Sequence, residues 1–573
     1  MASRFWVGGT GTWDSTSTAN WSATSGGAAG ASAPTNIDDV FFDSLSGTGT
    51  CTTDATATAR DVTLNTSTLA LTLGADLTIT RTFIFTLGGL SLTGNAGNWV
   101  FTCLTVSSVN TNVRTIAFGT GNISLTGNAV SIWNMNATNF SHTGTPTINC
   151  TYAGATGTRT MAFTTGATEA NSLNINVTAG TDIFSLPFVS RNINFTGFSG
   201  SIANAFNRSI FGSLTISSGM SVNAGTGTTS FLATSGTQQI TTNGVTLDFP
   251  ITKNGAGTLQ LQDNLTMGST RTFNLTAGTL DLNNLTLSTG LFVSNNSNVR
   301  TIAFGTGTID LTGNSATVFS ASTATNLTIT GTPVVNLTYS GGTGSRQING
   351  GSAAVLGEAQ AISFNVAAGT DTVVLGSANA IKNIDFTGFS GTINASSATS
   401  VPIYGDFKLS ATCTPSFAIG TTLNFAATSG TKTITCAGTT IGANISFTGL
   451  GGTWQFADAL TLASTKTINF TNGTLKLKAG ATSTVYGFTA SGVNQKYLES
   501  TTPGSQATLS DPSGTVSVSY VTIKDINATG GATWYAPIDQ FNIDGGNNDG
   551  WDFFVQLGEY MYTRRKTKRL LIS

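Results

Sequence analysis

The chain has 573 residues, of which only 9% are charged, with a formal net charge of −2. Ordinary soluble proteins carry about 25% charged residues, and so little basicity excludes a surface built to hold nucleic acid. The 34 Phe, with Ile, Leu and Val recurring at every second position, exclude disorder, and no run approaches the length of a membrane helix.

Residues 1–45 form a segment of their own. The strings FWVGGTGTWD, ANWSATSGGA and PTNIDDVFFD carry Trp6, Trp13 and Trp21, with Gly8, Gly9 and Gly11 allowing tight turns. Two readings stand open. The indoles close one end of a β core, which must be covered to stop copies stacking on one another. Alternatively, they form an aromatic platform for a sugar.

From residue 46 the chain repeats itself. NVRTIAFGTG occurs at Asn112 to Gly121 and again at Asn298 to Gly307, 186 residues on (298 − 112). RNINFTGFSG (Arg191 to Gly200) is matched by KNIDFTGFSG (Lys382 to Gly391), and ATSGTQQIT (Ala233 to Thr241) by ATSGTKTIT (Ala427 to Thr435). RTFIFTLGGLSL (Arg81 to Leu92), RTFNLTAGTLDL (Arg271 to Leu282) and KTINFTNGTLKL (Lys466 to Leu477) are three versions of one start. These matches mark an internal duplication. They place a first unit at 46–263, a second at 264–453 and a partial third at 454–480.

Inside the units a hexapeptide recurs: NFSHTG (Asn139 to Gly144), NINFTG (Asn192 to Gly197), NLTITG (Asn326 to Gly331), NIDFTG (Asn383 to Gly388) and NISFTG (Asn444 to Gly449). LSLTG, ISLTG and IDLTG are weaker relatives. Apolar and polar positions alternate, as in a strand with one inward face, and Thr-Gly ends it in a turn. Gly127 and Gly144 are 17 residues apart, and Gly313 and Gly331 are 18 apart, spacings that read as one turn of a winding chain. The expected fold is all-β, a parallel β-helix (β-solenoid) with capped ends; tandem β-sandwich modules are the alternative. Asn192, Asn383 and Asn444 either stack as an amide ladder or sit in the turn before each strand.

Little in the chain suggests chemistry. The lone histidine, His142, takes the place of Phe195, Ile329, Phe386 and Phe447 in the related hexapeptides, a core-facing position by register. Cys51, Cys103, Cys150, Cys413 and Cys436 are dispersed with no CxxC pair, which reads as buried small hydrophobes. Neither a metal site nor a cofactor is expected, although the carboxylates of IDGGNND (Ile543 to Asp549) have the composition of a calcium loop. Polysaccharide cleavage would need paired carboxylates. The acidic clusters (Asp38, Asp39 and Asp43; Asp539, Asp544, Asp549 and Asp552) are terminal, and mid-chain Asp310 and Asp385 are replaced by Ser124 and Asn194 in the first unit. Catalysis is therefore not expected. Thr-x-Thr pairs such as Thr78 and Thr80 raise ice binding as a further class, but their rank is irregular.

The texture changes over 481–554, read as a C-terminal β cap or small domain carrying Trp534 and Trp551, which share the capping and glycan-contact readings. Residues 555–573 form a basic tail in which Arg564, Arg565, Lys566, Lys568 and Arg569 are flanked by apolar residues. It is either a solvated tail or an anchor onto an acidic surface.

The W-x-G-G-x-G-x-W…N-W-S…P…D-x-V-x-F layout from Trp6 to Phe42 resembles the opening of β-helical passenger and adhesin segments, and also structural proteins of tailed phages. GGNNDGWDF (Gly545 to Phe553) is similar to endings of phage fibre and appendage proteins. The resemblance implies a virion protein, a fibre, spike or capsid-attached appendage, presenting a β-rod to a host glycan or receptor. Its expected partners are other virion proteins and copies of itself as a homotrimer. MASRFWVGGTG lacks the layout of a secretory signal, which favours the virion over a bacterial surface adhesin. A polysaccharide depolymerase is the remaining alternative.

Overall fold

A computed structural model describes residues 1–163, 168–186, 189–203, 206–395, 400–557 and 560–562, with side chains through Val555. The chain is nearly all β, with 2% helix, and divides into two compact units, Met1–Leu285 and Thr286–Ser573. Each unit is a parallel β-solenoid, and the chain makes about 22 turns in all.

The winding follows from alternation. In the first unit the strands Val100–Cys103, Asn122–Leu125, Thr147–Cys150 and Asn174–Val177 pair in parallel, each one turn beyond the last. Their inward positions stack as two columns, Phe101, Ile123, Ile148 and Ile175 beside Cys103, Leu125, Cys150 and Val177, all buried. Thr102, Ser124, Asn149 and Asn176 face outward between them. The second unit repeats the arrangement with Ile309, Val335, Phe364 and Ile384. Each such side chain contributes roughly 1.5–3 kcal/mol on burial, set against the entropy of ordering its segment of backbone.

This architecture excludes the β-sandwich alternative. Among the described residues the only antiparallel pairings are Ser3–Trp6 with Trp21–Ser22 and the hairpin of Val555–Leu557 with Tyr560–Tyr562. The turn length, however, is not the constant 17 or 18 residues read off the glycine spacing but varies along the chain. Asn176 stacks on Asn149 at 27 residues, Asn192 on Asn174 at 18, and Asn365 on Asn336 at 29.

Gly127 and Gly144 do not lie one turn apart. ISLTG forms the strand Asn122–Leu125, which pairs with Thr147–Cys150, whereas NFSHTG forms Phe140–Gly144, which pairs with Arg114–Gly119 in a different sheet. A turn contains several strands, and the same alternating hexapeptide suits more than one of them. Motif spacing therefore measured the distance between different sides of the coil.

At the N-terminal end, the strand Ser3–Trp6 pairs in parallel with Asp39–Phe42 on one edge. On the other edge Trp21–Ser22 runs antiparallel, so the chain turns back and covers the first strand.

Candidate functional site

The N-terminal tryptophans are interior. Trp6, Trp13 and Trp21 are each 0% exposed and pack edge-on, with centroids 5.0 Å apart for Trp6 and Trp21 and 5.5 Å for Trp13 and Trp21, around Phe42. None presents a face to solvent on which a sugar could stack, which corrects the platform reading of this segment. The aromatic cluster fills the interior of this turn with its own side chains. At the other end Trp534 is buried and Trp551 half-buried, in an edge-on pair at 5.0 Å. Arg564, Arg565, Lys566, Lys568 and Arg569 lie outside the described residues.

The outward face of the first unit carries a polar column in register: Ser124, Asn149, Asn176, Asn194 and Thr215. The Asn176 amide donates to the Asn149 side-chain oxygen at 2.9 Å, and Asn149 in turn donates to Asn122 at 2.9 Å. In the second unit the column is Asp310, Asn336, Asn365 and Asp385, with Asn336 donating to Asp310 at 2.6 Å. Amide ladders thus exist, mostly at positions other than those singled out from the motif. Asn192 does accept this role, donating to Asn174 at 2.7 Å. The side-chain oxygens of Asn383 and Asn444 instead receive the backbone N–H of Asp406 and Thr467 from the following turn.

The carboxylates have structural duties. Asp38 accepts from the Ala2 N–H and the Thr35 hydroxyl, both at 2.7 Å, and Asp39 pairs with Arg60. Asp310 and Asp385 stand three rungs apart in one column, about 14 Å at the ~4.8 Å rung spacing. A glycosidase pair needs separations of about 5 to 9.5 Å. In the IDGGNND segment, Asp544 accepts from Gly546 and Asn548, and Asp549 from Gln506. No group of three or more His, Cys, Asp or Glu among the described residues is placed to hold a metal ion.

His142 does face inward by register, in the column Leu71, Leu90, Ile116 and His142, but it is only half-buried. Its Nε2 donates to the Ser172 carbonyl at 3.2 Å. Burial lowers its pKa against the opposing effect of that bond. All five cysteines are buried and free, and burial pushes the Cys150 thiol up to about 12.

Motif reading missed a duplicated buried ion pair. Arg159 and Asp182 in the first unit, and Arg346 and Asp371 in the second, form two-pronged pairs with both side chains at 0% exposure. The guanidinium groups also lie over Tyr152 and Tyr339, at 5.4 Å in each case. The signal was present, as TYAGATGTR with AGTD in one unit and TYSGGTGSR with AGTD in the other. Arg114 and Arg300 of the repeated decapeptide are equally buried and donate to backbone carbonyls of Asn112 and Thr138, and of Asn298 and Thr325.

One surface feature of the first unit is concave. Two adjoining hollows of about 300 and 370 Å³ share Ala70, Gly89 and Thr115. The long strands Asp61–Leu73 and Thr82–Ser91 form their wall, with register breaks between Leu64 and Asn65 and between Asn65 and Ala70. Gly88 takes φ +112° at this bend, and a Cβ there would sit 2.0 Å from the Thr66 carbonyl oxygen. Thr115 and Ser141 present exposed hydroxyls along the far side.

Together these features define a parallel β-solenoid with an amide- and hydroxyl-rich exterior and two ion pairs, Arg159–Asp182 and Arg346–Asp371, turned inward. No family model, curated protein or solved structure matches the chain. No helix among the described residues is long and apolar enough to cross a membrane.

Proposed function

We propose that the chain is a structural component of a phage virion, a fibre, spike or capsid-attached appendage that presents its β-solenoid to a host surface. The observation that supports this most is the outward polar column, Ser124, Asn149, Asn176, Asn194 and Thr215 in the first unit and its counterpart in the second. A face repeating its hydrogen-bonding groups every ~4.8 Å, uncharged in the first unit and carrying Asp310 and Asp385 in the second, suits many weak contacts with a glycan or receptor, whose combined strength comes from multivalency. Other virion proteins hold the chain in place, with the basic tail from Arg564 to Arg569 as the anchor, and side-by-side association as a homotrimer would multiply the contacts.

The test is to purify particles from a producing culture and label each terminus of the chain for electron microscopy. Gold at a fixed site on the particle is the expected result. Absence of the chain from particles refutes the proposal, and its presence on the envelope of uninfected cells would favour an adhesin. Release of new reducing ends from host capsule would favour a depolymerase.

A further inference from the structure

We propose that the hollow around Ala70, Gly89 and Thr115 is a binding site for a neutral saccharide. This rests on the host-contact reading above and names the place where that contact is made.

The chain carries its own comparison. The strand that forms the wall exists in three versions, Arg81 to Leu92, Arg271 to Leu282 and Lys466 to Leu477. In each, a glycine of positive φ makes the same bend: Gly88 at +112°, Gly278 at +78° and Gly473 at +85°. The residue after that glycine, and its partner one turn earlier, form two rungs of an outward column. In the second version these rungs are Thr258 and Thr279, and in the third they are Thr453 and Thr474. In the first version they are Ala70 and Gly89. The backbone course is retained while two threonine side chains are removed from adjacent rungs, and the surface sinks between Thr50 and Thr115.

What lines the hollow selects the ligand. Hydroxyls of Thr115, Ser141 and Thr143 stand beside an apolar floor centred on Ala70 and Gly89, the Thr68 hydroxyl being already committed to the Gly47 carbonyl, and His142 is the sole titratable group among the lining residues. A charged ligand would find no counter-charge there, and a purely apolar one would strand the hydroxyls without partners. A sugar ring has a hydroxyl edge for those groups and a C–H face for the bare floor. The combined volume accommodates one or two rings.

The experiment uses the full chain on an array of neutral and sialylated oligosaccharides, followed by titration of the strongest binders. The test variant restores the rungs the chain uses elsewhere, Ala70→Thr with Gly89→Thr. Gly89 is not in the positive-φ region, and a Cβ there meets only the Thr115 hydroxyl oxygen at 3.3 Å, a tight contact that the exposed Thr115 side chain relieves by a shift of a few tenths of an ångström. Thr115→Val, which keeps shape and removes the hydroxyl, is the second variant.

The expected result is selective binding of neutral oligosaccharides, insensitive to salt, that weakens about tenfold or more in both variants with melting temperature unchanged. Unchanged affinity in the double variant overturns the proposal, as does binding confined to sialylated glycans or none at all. Host-cell binding by the double variant at full strength would sink this site and leave the appendage reading standing. Absence of the chain from particles would sink that reading and leave the site to the array.

Discussion

Replacing Asp371 by alanine should lower the stability of the second unit by about 3–5 kcal/mol, the cost of leaving a buried charge without its partner. Arg346 and Asp371 are both at 0% side-chain exposure, and Arg346 donates from Nε to Oδ2 and from Nη2 to Oδ1, each at 2.8 Å. Removing the carboxylate leaves the guanidinium with the Ala368 carbonyl at 2.9 Å and the face of Tyr339, neither of which supplies a negative charge. A solenoid is held turn by turn, so the loss falls near the site and not evenly along the chain. Hydrogen exchange of the intact protein reads this directly. Amides of the strands Ser345–Asn349 and Thr372–Leu375 should lose about a hundredfold or more in protection, since each 1.4 kcal/mol is tenfold. Strands several turns away should be unchanged. The double change Arg346→Met with Asp371→Leu should recover most of the loss, because a packed apolar pair avoids the desolvation of two ions. A fall of less than about fivefold in Asp371→Ala would refute the reasoning, since it would mean the charge finds water or another partner without the pair.

The N-terminal aromatic cluster gives a second expectation: Trp13→Ala should cost about 3–5 kcal/mol locally and open the first turn. The variant should then associate with rising concentration in light scattering, and one that stays as monodisperse as the parent would remove the capping role. Lys253 is fully buried, with its Nζ donating to the Gly255 carbonyl at 2.6 Å, and burial lowers its pKa to about 8. The unfolded chain therefore binds more protons than the folded one between about pH 8 and the ordinary lysine value of 10.5. Stability should rise with pH across that window. Lys253→Met should flatten this dependence and raise stability at pH 7, as read by urea unfolding at a series of pH values; an unchanged slope would show that the amine is solvated.

Much of the fold was legible because a solenoid writes its architecture into period two. The alternation in ISLTG and NINFTG sends Ile123, Leu125 and Ile193 inward, and it needs no distant partner to be recognised. The duplicated decapeptide likewise announced that one unit would be built twice. The length of a turn was not legible. NFSHTG and ISLTG share a pattern yet lie in different sheets, because every side of a coil rewards the same alternation. His142 shows the same limit: its inward register was correct, but its half-burial depends on how the strand Phe140–Gly144 meets the residues around Ser172.

The amino-acid sequence alone determined that this chain is β, that it repeats, and which side of each strand faces the core, since those depend on neighbours along the backbone. Tertiary structure decided the rest. Trp6, Trp13 and Trp21 are interior because the chain doubles back over them, and Arg159 meets Asp182 because winding sets residues 23 positions apart side by side. The hollow at Ala70 and Gly89 exists only because two small residues fall on adjacent rungs. Contacts across turns are set by coil length, and coil length is fixed by packing in three dimensions, which no local pattern records.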